Sequence, residues 1–123
     1  MEYDLKLSQC ESYVFVRPFV NVTKNLAHLY TREAISLGNT LGISKLLVDV
    51  RGLASLSGAM GKYAFAHGDG KRIGLTHLWQ VALIYDEGNE DIKFLETVMR
   101  NAGYNYRVFG DESQARAWLL EES

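Results

Sequence analysis

The run Lys45-Leu46-Leu47-Val48-Asp49-Val50-Arg51 constrains this chain more than any other stretch. Its apolar positions are nearly continuous, the pattern of a strand covered on both faces. Period-2 geometry puts Leu46, Val48 and Val50 on one face and Leu47, Asp49 and Arg51 on the other. The acid and the base fall towards the strand's C-terminal end, where open α/β sheets usually hold their ligands. A second run of the same kind, Trp79-Gln80-Val81-Ala82-Leu83-Ile84-Tyr85, follows about one crossover later. Two such strands with helical sequence between them imply a largely parallel sheet.

The flanking segments fit around that sheet. Tyr3, Leu5 and Leu7 alternate with Asp4, Lys6 and Ser8, and Tyr13 to Val16 resumes β-branched and aromatic character, so a β-hairpin opens the domain. Pro18, the only proline, suits an edge or a strand end. Ala27, Tyr30, Ala34, Leu37 and Leu41 form an amphipathic helical stripe, with Asn21 or Thr23 to cap its start and Gly42 its end. Ser55 or Ser57 can begin a second helix carrying Met60, Tyr63, Ala64 and His67. Ile92, Leu95, Val98, Met99 and Ala102 mark a third, ended by Gly103. Tyr104 to Phe109 reads as a strand, and Asp111 with Gln114 has capping-box spacing for a last helix burying Ala115, Trp118 and Leu119. The expected fold is one α/β domain over residues 1–123, a mixed and mostly parallel sheet with an N-terminal hairpin and about four helices.

Composition narrows function by exclusion. A net charge of −2 with scattered basic residues gives no field for nucleic acid. A lone cysteine, Cys10, forms neither an internal disulfide nor a cysteine-rich metal site, and fits a reducing compartment. No apolar stretch approaches the ~20 residues of a membrane span, and no basic n-region with an apolar run opens the chain. The cytoplasm is the expected location.

Each candidate for chemistry has a plainer reading. Gly68 to Gly74, GDGKRIG, lacks the spacing of both phosphate-binding fingerprints and follows a helix instead of a strand. His28, His67 and His77 share no metal-binding spacing on one helix face, so neither metal nor cofactor is expected. Cys10 has no neighbouring base or helix start to lower its pKa. Asp49 at a strand end could serve as a nucleophile or phosphoacceptor, but Arg51, two residues on and on the same face, is a partner for it. Ser55, Ser57 and Gly58 lie in the crossing that follows, where a hydroxyl caps a helix and can also carry a phosphate. No base–nucleophile pair can be named from spacing, which puts an enzyme behind a binding module.

The strand LVDVRG (Leu47 to Gly52), its Ser/Gly crossing and the ending YRVFGDESQARAWL (Tyr106 to Leu119) resemble the SpoIIAA-like branch of the STAS domains. Those are the sulfate-transporter and anti-sigma-factor-antagonist domains, and the branch is also similar to CRAL-TRIO lipid-binding domains. The resemblance spans nearly the whole chain. It implies a non-enzymatic regulatory or protein-binding module whose partner surface surrounds the crossing after the third strand. In the regulators a serine at the start of the next helix is phosphorylated by a partner kinase, and Ser57-Gly58 is the closest match. Ser55 and Leu56 stand where the regulators carry an acidic residue. The expected binding residues are therefore Asp49, Arg51, Ser55, Ser57, Gly58, Met60 and Tyr63. The alternative is a small carrier for a lipid or other apolar ligand, with Met60, Tyr63, Phe65 and Trp79 as lining or simply as core. An exposed strand edge would also permit a homodimer.

Overall fold

The computed structural model describes residues 2–20, 24–52, 76, 78–86 and 90–121. Five strands and three helices are defined among them: β1 (Tyr3–Leu7), β2 (Val14–Pro18), α1 (Lys24–Leu41), β3 (Lys45–Asp49), β4 (Gln80–Ile84), α2 (Glu90–Asn101), β5 (Asn105–Phe109) and α3 (Glu112–Leu120). The sheet order is β1-β2-β3-β4-β5, antiparallel between β1 and β2 and parallel across the rest. β3 is the middle strand, as its apolar run requires. The expected second helix, from Ser55 or Ser57 onward, lies outside the described residues.

The two faces of β3 separate as period-2 geometry demands. Leu46, Val48 and Val50 join one core with α1 and α2, through Leu26, Tyr30, Ala34, Ile35, Ile92, Leu95, Val98 and Met99. Leu47 joins the other with Tyr13, Ala82, Ile84 and two residues of α3, Ala115 and Leu119. Every β3 residue from Leu46 to Asp49 is buried, and so is Val50.

Three local expectations are corrected. The buried stripe of α1 runs through Leu26, Tyr30, Ala34 and Gly38, whereas Leu41 is 46% exposed and Ala27 and Leu37 are half-buried. Tyr30 and Ala34 are buried as expected, and near its end the helix packs through Gly38, against the Trp79 ring and the Ile43 carbonyl. That carbonyl arrives by a Schellman turn: Ile43 N–H donates to Gly38 O at 2.8 Å, with Gly42 left-handed between them. At α3, the Asp111 carboxylate accepts from Ser113 N–H at 2.6 Å, one residue short of the Gln114 position a capping box uses. Trp118 is only half-buried, tilted against Phe109 with Arg107 over its ring.

Candidate functional site

The C-terminal ends of β2, β3 and β4 meet in a cluster of charges built around Asp49. Asp49 ends β3 and is 3% exposed, so its carboxylate would be costly to hold unpaired. It is fully engaged instead. Oδ1 accepts from the Arg51 backbone N–H at 3.1 Å and from Arg51 Nε at 3.0 Å. Oδ2 accepts from Arg51 Nη2 at 2.8 Å and pairs with Arg17 Nη1 at 2.8 Å. A carboxylate offers about four acceptor positions, and here all are used. Burial alone would raise the Asp49 pKa; the Arg51 hydrogen bonds and the charges of Arg17 and Arg51 outweigh it and hold the group below its ordinary value. The same bonds raise the Arg51 pKa, with Glu112 and Asp86 adding to the effect against desolvation.

Local sequence explains the convergence. The parallel register sets Phe15 beside Leu47 and Val16 beside Val48, so one further step brings Arg17 level with Asp49. Arg51 returns to Asp49 because the chain turns at once. Gly52 takes a positive φ of 83°, and its N–H donates to Asp86 Oδ2 at 2.8 Å, tying the turn to the end of β4. From the start of α3, Glu112 lies 3.6 Å from Arg51 and 3.9 Å from Arg116. Beside this cluster a cleft of about 280 Å³ is lined by Lys6, Ser8, Cys10, Tyr13, Glu112 and Arg116.

The structure thus brings Asp49 and Arg51 together and adds Arg17, Asp86, Glu112 and Arg116, which sequence reasoning did not find. Arg17 had a faint signal: VFVR and LLVD are matching apolar runs ended by opposite charges. The positions of Asp86 and Glu112 depend on which strands are neighbours, and spacing carries no sign of that. Ser55, Ser57, Gly58, Met60 and Tyr63 lie outside the described residues, as do Phe65, His67, His77 and the segment from Gly68 to Gly74. Trp79, a candidate ligand-lining residue, is buried in the core against Gly38. Cys10 departs from expectation, because a contact with Ser8 Oγ at 3.5 Å and the Ser12 backbone lower its thiol pKa. His28 is half-buried on α1. Among the described residues no three His, Cys, Asp or Glu side chains gather to hold a metal ion. No described helix is long and apolar enough to cross a membrane.

A mixed five-stranded sheet with an N-terminal hairpin and helices on both faces defines the class, the SpoIIAA-like fold. The chain is similar in structure to an uncharacterised protein of the DUF3478 family, with a SpoIIAA-like fold, from Shewanella loihica PV-4. The two share 21% identity and superpose with a TM-score of 0.53 over 96% of this chain and 92% of that one. No family model and no curated protein matches the sequence.

Proposed function

We propose that the chain is a non-enzymatic protein-binding module of the STAS type, meeting its partner at the C-terminal end of the sheet and along the crossing that starts at Arg51. The saturated Asp49 carboxylate carries this reading. A general base or nucleophile needs a free lone pair and a pKa near the working pH, whereas this group has its acceptor positions filled and its pKa depressed. What the site offers outward is its two guanidinium groups, 38–39% exposed and bordered by Asp86 and Glu112. Such mixed, half-exposed charge favours recognition and register over chemistry. Ser57 follows Arg51 by six residues in the sequence, and its resemblance to the regulators' phosphorylated serine supports it as the switch.

The test is affinity capture from the source cell with the intact chain as bait. A partner held by wild type and Ser57→Ala, released by Ser57→Asp and lost with Arg51→Glu supports the reading. Identical capture by all four ends both the switch and the surface. Apolar ligand carriage would show instead as copurifying lipid in native mass spectrometry of protein made without detergent.

A further inference from the structure

The two edges of the sheet are treated differently. On β5 the outward Val108 N–H is taken by Glu96 Oε2 at 2.8 Å, so a side chain from α2 blocks that edge against a further strand. On β1 the ladder to β2 is framed by Phe19 N–H to Glu2 O at 2.8 Å and Ser8 N–H to Tyr13 O at 2.9 Å. These bonds put the even-numbered residues of β1 in hydrogen-bonded pairs with β2. The backbone groups of Tyr3, Leu5 and Leu7 therefore point outward, and no described residue bonds to them.

From this we infer that the free β1 edge pairs with the β1 edge of a second copy of the chain, antiparallel and centred on Leu5. The charges fix that register. With Leu5 opposite its symmetry mate, Tyr3 faces Leu7 and Asp4 faces Lys6 of the other copy, twice over by the two-fold axis. Asp4 and Lys6 then occupy the non-hydrogen-bonded pairs, where facing side chains approach most closely. Sliding the second strand by two residues keeps the hydrogen bonds possible but sets Asp4 against Asp4 in one direction and Lys6 against Lys6 in the other. Like charges directly opposite destabilise a strand pair, so both alternatives are disfavoured. The centred pairing forms up to about six backbone hydrogen bonds, two at each of its wide pairs.

The element above the edge is compatible with a second copy. Tyr3 donates to the Glu33 carboxylate, which fixes the flank of α1 that overhangs β1. One helical turn before Glu33 on that flank, Leu29 is 43% exposed, an apolar position that α1 of the second copy would cover. The two-fold axis stands across the sheet, so the C-terminal cluster of each copy remains open, at opposite ends of the joint sheet. This inference is independent of the partner proposed for that cluster.

The test is sedimentation of the full chain under reducing conditions, which exclude a Cys10 cross-link, over about 1 μM to 1 mM. Wild type should show a concentration-dependent dimer. Lys6→Asp turns both facing pairs repulsive and should raise the dissociation constant on the order of tenfold or more, an effect that salt weakens. Asp4→Lys should act alike, and the exchanged variant Asp4→Lys/Lys6→Asp should restore dimerisation. Circular dichroism confirms that each variant is folded. A wild type that stays monomeric throughout overturns the inference, as does a dimer indifferent to both reversals or one the exchange does not rescue.

Discussion

Removing the two arginines around Asp49 should damage the protein more than removing Asp49 itself, and the damage should depend on pH. The carboxylate is buried, while Arg17 and Arg51 are 39% and 38% exposed. In Asp49→Asn the guanidinium groups turn to water, and the loss is that of a few charged hydrogen bonds, about 1–3 kcal/mol. In Arg17→Met/Arg51→Met the buried anion keeps only the Arg51 backbone N–H, and breaking such a pairing costs about 3–5 kcal/mol at neutral pH. Acid should close the gap. In wild type the folded pKa is lowered, so its contribution is present above the unfolded value of about 3.9 and is lost as pH falls through the folded pKa. In the double variant, burial without cations raises the folded pKa. Its contribution is then intact below the unfolded value and lost as pH rises through the folded one. Urea unfolding of wild type and the double arginine variant between pH 3 and 7 measures the difference; with slopes of about 1–3 kcal/mol/M, a loss of about 4 kcal/mol moves the midpoint by more than about 1 M. A gap that is the same at both pH extremes, or an Asp49→Asn variant less stable than the double arginine variant at pH 7, would refute the reasoning.

Two further substitutions test the packing. Helix propensity alone makes Gly38→Ala stabilising by about 1 kcal/mol, but the added Cβ would collide with the Ile43 carbonyl oxygen and the Trp79 ring. Overpacking should win by about 1–3 kcal/mol, so the melting temperature falls, and a rise would show that the chain yields there. Tyr104 is buried with its hydroxyl unpartnered among the described residues, and burial raises its pKa. Tyr104→Phe should match wild type or exceed it by up to about 1 kcal/mol in urea unfolding, and a clear loss would reveal a hidden hydrogen bond.

The parts of the fold that were legible in the sequence are those written in side-chain periodicity. Leu46, Val48 and Val50 separate from Leu47 because alternation along one strand needs no information from the rest of the chain. The stripe of α2 was legible for the same reason, as were Ala115 and Leu119 of α3, though not the half-buried Trp118. Most of the α1 stripe was legible too: Tyr30 and Ala34 are buried, and Ala27 and Leu37 pack against the same core. Its last member, Leu41, was not, because the helix ends in a turn at Gly42 and the contact there is made by Gly38, which has no side chain to count. Trp79 was ambiguous between lining and core, and only the helix laid across it decides for core.

At the site the same boundary appears between local and non-local information. Asp49 and Arg51 share a face at a separation of two residues, so their pairing could be anticipated. Arg17 reaches Asp49 only through the β2–β3 register, and Asp86 and Glu112 reach Gly52 and Arg51 from other strand and helix ends. This changes the chemistry of the site, beyond lengthening its residue inventory. With Arg51 alone, one acceptor position on Oδ2 would remain open, and a phosphoacceptor or base could be argued. The second arginine fills Oδ2, and the acid becomes the anchor that fixes two guanidinium groups at the rim. A ligand competing for them must then leave a buried anion behind or approach through the donors that still face water. The second route spares the desolvation penalty, and it favours a broad protein surface over a small anion inserted between Asp49 and its partners.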